Sequence, residues 1–181
     1  MKYKLTTLLI IKLSLKDHSE TENPLAEDNK EELISKKLEE FKTLVGDFGG
    51  NIEPDSLGKY PDRFLACFDG PSGALAAAFE YAHKLSDSNI EMYCAINTGE
   101  IIIRNNAIMG RTLDIVSKML KMAEKNEILF SESVLLSAGA DTQLTYHPNI
   151  GTIEGLTGPK TNIFRLDLVK FKESGDKNGE S

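Results

Sequence analysis

Residues 90–104 have the sequence IEMYCAINTGEIIIR, in which an apolar run lies on each side of Asn97-Thr98-Gly99. Apolar and β-branched runs of this length are typical of buried strands, and Asn and Gly between two such runs are typical of a tight turn. The stretch therefore predicts two strands, 90–96 and 100–104, joined by a turn. These strands are expected to lie in the sheet around which the chain folds.

Working outward, apolar runs predict further strands, and apolar residues at helical spacing predict three main helices. In chain order, the remaining predictions are strand 5–15, helix 33–48, a short strand and turn at 51–60, strand 63–68, helix 73–85, helix 112–125, strand 127–130, a short helix after 131, a strand near 145 and strand 163–168. This order predicts an α+β sandwich in which helices cover one face of a mostly antiparallel sheet. Gly49-Gly50 is interpreted as the end of the first helix.

The composition places the chain in the class of single globular domains. It has 181 residues, 21 basic and 28 acidic side chains and a net charge of −7. We expect one domain over residues 1–169, with a polar, mobile connection at 16–30 and a disordered C-terminal tail at 170–181. The acidic balance argues against broad, sequence-independent binding of nucleic acid, because no cluster of Lys and Arg is present to neutralise phosphates. We therefore expect no nucleic-acid partner.

The sequence also predicts a cytoplasmic protein without a membrane span. Lys12 interrupts the N-terminal apolar run, no cleavage site with small residues follows it, and no run approaches the roughly 18 to 20 apolar residues that a spanning helix needs. Cys67 and Cys94 lie in apolar runs without a C-x-x-C spacing. They are therefore expected to be reduced core residues.

Four short strings, in order, resemble those of the class III nucleotide cyclase homology domain, which converts ATP or GTP to the cyclic 3′,5′-monophosphate. Residues 61–66 (PDRFLA) are similar to the family's GDAVLA, and residues 97–103 (NTGEIII) are similar to HTGEVVV. Residues 109–114 (MGRTLD) lie where the family has IGDTVN, and residues 126–132 (NEILFSE) are similar to GEILVSE. The resemblance covers about residues 5–168.

This resemblance implies a ferredoxin-like α+β sandwich that works as a head-to-tail dimer, with composite sites in the groove between two chains. In the family, two aspartates hold two Mg²⁺ or Mn²⁺ ions that activate the ribose 3′-oxygen and the triphosphate. A Lys and an Asp recognise the base, and an Asn and an Arg hold the ribose and stabilise developing charge.

Several of these positions carry a different residue in this chain. Lys12 occupies the first metal aspartate's position, and Asp62 retains the second. The base-recognising lysine aligns with Gly58, one residue before Lys59. The remaining family positions, which recognise the base and hold the ribose, carry Arg111 for Asp, Asp114 for Asn and Lys118 for Arg.

These differences lead to the hypothesis of a degenerate cyclase domain. A cation at position 12 removes a metal carboxylate, and an ammonium at position 118 does not reproduce the planar fork of an arginine. No metal cofactor is then expected, and Lys12 is predicted to form an ion pair with Asp62 where the metal would lie. An alternative is that Lys12 protects an edge strand from aggregation. Asp114 and Lys118 are spaced for a helical ion pair, or form an ordinary solvated surface.

The predicted function is a dimerising regulatory, nucleotide-binding or other ligand-binding module of intracellular signalling, with impaired or absent catalysis. Its partner would be a second copy or another cyclase-type domain, and its ligand a purine nucleotide. One alternative is an active purine nucleotide cyclase that uses Mg²⁺ or Mn²⁺, alone or as half of a heterodimer. A third hypothesis is a groove adapted to another anion, attracted by Lys59, Arg111 and Lys118.

Overall fold

The computed structural model of the chain describes residues 2–16, 27–53, 60–138, 144–154 and 159–168. Within these residues, eight strands form one sheet, and four helices pack on it. The elements in chain order are β1 (Lys2–Leu15), α1 (Glu27–Asp47), β2 (Asn51–Ile52), β3 (Arg63–Phe68), α2 (Pro71–Leu85), β4 (Ile90–Arg104), β5 (Ala107–Met109), α3 (Arg111–Met122), β6 (Glu127–Ser131), α4 (Glu132–Ser137), β7 (Tyr146–Ile153) and β8 (Thr161–Leu166).

The sheet is organised around one long antiparallel pair, β1 and β4. These strands pair continuously from Lys2 opposite Ile103 to Leu15 opposite Ile90. The full strand order is β2-β3-β1-β4-β6-β8-β7, and β5 pairs with the far end of β4. All pairs are antiparallel except β4 with β6, which is parallel. The predicted α+β class with a mostly antiparallel sheet is therefore confirmed.

Helices cover both faces of the sheet, which corrects the prediction that they cover one face. Along β1, Leu9 and Ile11 face a core cluster that includes residues of α1 and α2, whereas Leu8 and Ile10 face a second cluster that includes residues of α3. The central strands are apolar on both faces, so each face needs a cover to exclude water. α3 provides that cover on the second face.

The stretch 90–104 forms a single strand rather than two. Asn97 and Thr98 are buried within β4 and pair with Leu8 and Thr7 of β1, so their backbone groups are used in the ladder. The turn instead occurs at Asn105 and Asn106, whose φ angles are 51° and 61°. Two consecutive residues with positive φ are typical of the tight hairpin turn that twists with its strands.

The boundaries of α1 also differ in part from the prediction. The helix begins at Glu27, inside the polar connection predicted at 16–30. Its end agrees with the prediction, because Gly49 has a φ of 78° and Gly50 N donates to Val45 O. A left-handed residue with such a bond is a common helix ending. Residues 17–26 and the predicted tail at 170–181 lie outside the described residues.

Both cysteines are buried and free, as predicted. Burial raises the pKa of the Cys67 thiol to about 12, with a smaller contribution from the charge of Glu53. Burial also raises the pKa of the Cys94 thiol. Both thiols are therefore protonated at neutral pH and act as small apolar groups. No helix in the described part of the chain is long and apolar enough to cross a membrane.

Candidate functional site

Asp62 lies just before β3, next to the C-terminal half of β1. Its backbone carbonyl accepts a hydrogen bond from Leu13 N at 2.9 Å, which fixes the start of β3 beside β1. Its carboxylate accepts two hydrogen bonds from Arg63, at 2.8 Å from Nε to Oδ1 and at 3.0 Å from Nη2 to Oδ2. The planar guanidinium matches the two oxygens of a carboxylate in this geometry. The side chain of Arg63 is 26% exposed, and that of Asp62 is 31% exposed.

The contact with Asp62 fixes the side chain of Arg63. The hydrogen bond to Asp62 raises the pKa of Arg63 above its ordinary value. The guanidinium also lies over the ring of Tyr60, with 4.5 Å between Cζ and the ring centroid. Arg63 therefore bridges an anion and an aromatic face, and both carboxylate oxygens of Asp62 are already engaged.

Lys12 lies in β1 opposite Arg63 on one side and Tyr93 on the other. Its Nζ is 5.4 Å from the centroid of the Tyr93 ring, which is within the range of a cation–π contact. The predicted ion pair between Lys12 and Asp62 is wrong, since the ion pair found at Asp62 is the one with Arg63. A planar guanidinium on the adjacent residue satisfies a carboxylate at two points, which a single ammonium cannot do.

Arg111 and Lys118 project from the exposed side of α3 and contact the segment between β7 and β8. Arg111 Nη2 donates to Pro159 O at 2.6 Å, and Lys118 Nζ donates to Glu154 O at 3.2 Å. Glu154 in turn forms an ion pair with Lys160 at 2.9 Å. The two cations of α3 thus hold the two ends of this connection, and both contacts are exposed.

Asp114 is exposed in the first turn of α3, where a negative charge is favourable next to the helix N-terminus. The ion pair predicted between Asp114 and Lys118 is not formed, because the Lys118 ammonium extends to Glu154 O instead. The alternative of a solvated helix surface describes Asp114 correctly. Lys59 lies outside the described residues, so its assignment to the groove stays a prediction.

The predicted residues form two sets, one at the end of β1 and one on α3. The first turn of α3 is held over Gly99, which pairs with Thr6 of β1. Lys12 lies six residues further along β1, which corresponds to about 20 Å at roughly 3.3 Å per residue. Within one chain, the set of Lys12 and Asp62 is therefore well separated from the beginning of α3.

A buried polar network around Asn97, which the sequence analysis missed, attaches α3 to the sheet. Asn97 Nδ2 donates to Thr112 O at 3.0 Å, and Asn97 Oδ1 accepts from Ser131 Oγ at 2.7 Å and from Ser133 Oγ at 3.1 Å. Asn97 is 3% exposed and Ser131 is fully buried. One feature of the sequence could have revealed this network: the amide of Asn97 lies inside a run of apolar strand residues. A buried amide needs hydrogen-bond partners, so its position predicts a polar network around it.

Gly99 completes this attachment by leaving room for Thr112. Thr112 Oγ1 donates to Glu100 O at 2.6 Å. A Cβ on Gly99 would lie only 2.6 Å from that same Oγ1. The string Asn97-Thr98-Gly99-Glu100 therefore fixes α3, and with it Arg111 and Lys118, relative to the sheet.

Comparison of this structure with solved structures finds cyclase domains. No protein-family profile matches the sequence, and no curated protein matches it. An adenylate/guanylate cyclase/hydrolase from Silicibacter pomeroyi has a TM-score of 0.72 at 17% identity, over 91% of this chain and 97% of that chain. Adenylate cyclases from Trypanosoma brucei in their monomeric state give 0.71 at 13% identity, over 91% and 90%.

A third similar structure is the non-canonical dimeric guanylyl cyclase domain of the RhoGC fusion protein from Blastocladiella emersonii. Its TM-score is 0.69 at 13% identity, over 92% of this chain and 98% of that chain. In all three comparisons nearly the whole of both chains is aligned, so the likeness concerns the complete domain. The chain therefore has the fold of the adenylate and guanylate cyclase domains, the family that its four sequence strings resemble.

Proposed function

We propose that this chain is a dimerising cyclase-fold module that does not carry out metal-dependent cyclisation. The observation that supports this most directly is the state of Asp62, whose two carboxylate oxygens both accept hydrogen bonds from Arg63. Lys12 aligns with the first of the two metal aspartates that the family uses. The module would act by binding a partner chain and an anionic ligand.

The residues present do not fit a pair of divalent cations. Mg²⁺ and Mn²⁺ prefer several carboxylate or carbonyl oxygens. The donor set here offers one carboxylate that is shared with a guanidinium, next to the ammonium of Lys12. Among the described residues, no group of three or more His, Cys, Asp and Glu side chains could hold a metal ion. The residues present therefore do not support a catalytic step through a metal.

The separation of the two sets of residues supports the proposal of a dimer. Lys12 and Asp62 lie about 20 Å along β1 from the beginning of α3. A second chain in head-to-tail orientation would place α3 of one protomer near Asp62 of its partner. The end of the sheet that contains Leu5 of β1 and Met109 of β5 offers apolar surface for such a contact. The side chain of Leu5 is 69% exposed, and that of Met109 is 48% exposed. The partner would be a second copy or another cyclase-type domain.

The ligand of this module would be an anion held by α3. Arg111 and Lys118 carry positive charges on the exposed face of the helix, and their present partners are neutral carbonyl groups. A phosphate group would be a stronger partner, because hydrogen bonds between ionised groups are about twice as strong as neutral ones. Because the chain resembles nucleotide cyclase domains, we propose a purine nucleotide as this ligand.

A cyclase assay tests the proposal. Concentrated protein is incubated with Mn²⁺ and either ATP or GTP, and the cyclic product is measured by mass spectrometry. We expect no product above the buffer blank. Product that disappears on Asp62→Ala would overturn the proposal and make the chain an active cyclase. The same assay with an added intact cyclase domain tests the heterodimer, in which this chain would raise the activity of its partner.

A further inference from the structure

A row of polar side chains crosses the sheet on the face where α3 packs. Lys12 of β1 pairs with Arg63 of β3 on one side and with Tyr93 of β4 on the other. Tyr93 in turn pairs with Glu127 of β6. Residues that pair directly across a sheet point to the same face. Ile10, two residues before Lys12, belongs to the core cluster that α3 covers, so these four residues, the charged row, lie beside that cluster.

The carboxylates at the two ends of the charged row are already paired with arginines. At one end, both carboxylate oxygens of Asp62 accept hydrogen bonds from Arg63. At the other end, Glu127 Oε1 accepts a hydrogen bond from Arg165 Nη1 at 2.6 Å, and the side chain of Glu127 is only 11% exposed. Each guanidinium therefore takes up one negative charge.

The carboxylate of Glu91, two residues before Tyr93 on the same face of β4, is engaged as well. Its Oε2 accepts a hydrogen bond from the Tyr93 hydroxyl at 3.3 Å, and its Oε1 lies 3.5 Å from Lys125 Nζ. The Tyr93 ring lies beside the Lys12 ammonium, 5.4 Å from ring centroid to Nζ. Among the residues that the structure describes, no carboxylate forms an ion pair with Lys12, so its ammonium is an excess positive charge in the row.

The position of Lys12 is unfavourable for the isolated chain. Lys12 is half-buried and lies directly opposite Arg63, and like charges directly opposite each other on neighbouring strands are destabilising. The carboxylate of Asp62 offsets the charge of Arg63 only. Proteins break such local rules mainly at functional sites. An anion bound at Lys12 would offset the repulsion, and the charged row therefore has the character of an anion site.

We propose that Lys12 binds the phosphate groups of the ligand, with its ammonium as the counter-charge in place of a divalent cation. This inference rests on the proposed function, because the head-to-tail dimer would bring the cations of the partner's α3 into the same groove. Lys12, Arg111 and Lys118 would then all face the ligand. Several cations suit a chain of phosphate groups with several negative charges. Binding through Lys12 would need no Mg²⁺ or Mn²⁺.

Titration calorimetry in the presence of EDTA tests the metal-free binding. The full chain is titrated with ATP and, separately, with inorganic tripolyphosphate, which carries the phosphate groups without a base. We expect both compounds to bind in EDTA. Binding of tripolyphosphate shows that the phosphate groups themselves are recognised.

Substitutions at Lys12 assign the binding to this residue. Lys12→Gln is expected to weaken the binding of both compounds by about tenfold or more, because a hydrogen bond to a charged group is lost. Lys12→Arg keeps the charge and is expected to keep the binding. Lys16→Gln is the matched control, since the Lys16 ammonium donates to Ser88 O at 2.6 Å, and its affinities should equal those of the unchanged chain. Circular dichroism checks that all variants are folded.

Two results would overturn the inference. The first is the absence of binding in EDTA, whether or not Mn²⁺ restores it. The second is an unchanged affinity for tripolyphosphate in a folded Lys12→Gln chain.

The failure of this inference can be told apart from the failure of the proposed function. If Lys12→Gln leaves the affinity unchanged and Arg111→Gln lowers it, the module still has an anionic ligand, but Lys12 does not bind it. If the cyclase assay yields product while binding in EDTA still depends on Lys12, the proposed function is wrong and Lys12 keeps its role.

Discussion

Arg63 holds the carboxylate of Asp62, the residue directly before it in the chain, by two hydrogen bonds of 2.8 Å and 3.0 Å. Neighbouring residues at a strand start normally point away from each other, so this contact depends on the turn that precedes β3. Its effect is that the carboxylate that aligns with one of the family's metal aspartates is already paired with a cation. We therefore expect metal binding to be strongest when this contact and the charge of Lys12 are both removed.

The first prediction concerns that restoration. The double variant Lys12→Asp, Arg63→Gln is expected to bind Mn²⁺ at least about tenfold more tightly than Lys12→Asp alone, because the metal no longer competes with hydrogen bonds to a charged group that are worth about 1.5 to 3 kcal/mol. Isothermal titration calorimetry measures both affinities. Adding Asp62→Asn to the double variant should abolish binding. Equal affinities with and without Arg63 would contradict the role given to this residue.

The second prediction is that Asn97 stabilises the fold through its buried partners. Asn97→Ala leaves Thr112 O, Ser131 and Ser133 without their amide partner, and each unsatisfied buried group costs about 1 to 3 kcal/mol. Some of these groups can pair with each other, so the free energy of unfolding should fall by about 3 kcal/mol in total. Urea denaturation measures it.

Asn89→Ala serves as the control for this experiment, since Asn89 is exposed and the same side chain is removed. Its free energy of unfolding should stay within about 0.5 kcal/mol of the unchanged chain. If both variants lose the same free energy of unfolding, the network around Asn97 does not stabilise the fold as predicted.

The third prediction concerns the close approach of Gly99 and Thr112. Gly99→Ala places a Cβ 2.6 Å from Thr112 Oγ1, and this overpacking should reduce stability by about 1 to 3 kcal/mol. In the Thr112→Ala background the same change should have a much smaller effect, because the clashing oxygen is absent. A double-mutant cycle from urea denaturation gives the coupling. Additive effects would show that the two residues do not meet.

The fourth prediction follows from the raised pKa values of the buried thiols. In the folded chain, burial raises the pKa of Cys94 above its ordinary value near 9, so the folded state keeps a proton that the unfolded state loses. The free energy of unfolding should therefore fall as the pH rises above about 9, by up to about 1.4 kcal/mol per pH unit for each thiol. Below that pH the thiol contributes no slope.

Cys94→Ala should reduce this slope, whatever its effect on stability at neutral pH. Chemical denaturation between about pH 8 and pH 10.5 measures both chains. An identical slope in the variant would contradict the assignment of the pH dependence to the buried thiol.

The apolar patterns of the sequence were sufficient to predict the class of fold. The runs at β1, β3 and β4 and the helical spacing of α1, α2 and α3 each reflect burial, which a single sequence displays directly. The stripe of apolar residues on α3 shows that one side is buried, but it contains no information on which face of the sheet buries it. The connection from β4 through β5 leads into α3, and the helix packs on the second face of the sheet.

The errors at Asn97 and at Lys12 have a common origin. Asn97-Thr98-Gly99 has the composition of a turn, but pairing with β1 and burial of the amide outweigh local turn preference. Lys12 and Asp62 are neighbours as predicted, yet a competing cation one residue away takes the carboxylate. In both cases the prediction considered one set of contacts, and the folded chain forms another: strand pairing with β1 at Asn97, and the contact of Asp62 with Arg63 instead of Lys12.

The long register between β1 and β4 also determines how the chain must fold. Leu15 pairs with Ile90, and Lys2 pairs with Ile103, so the central ladder joins residues whose positions in the sequence differ by 75 or more. Contacts between such distant segments form slowly, because the closure entropy of the loop is lost before the pairing is gained. During synthesis at about 5 to 20 residues per second, β1 emerges several seconds before its central partner. Its apolar residues are without that partner throughout this interval, so this edge of β1 is exposed to aggregation in the nascent chain.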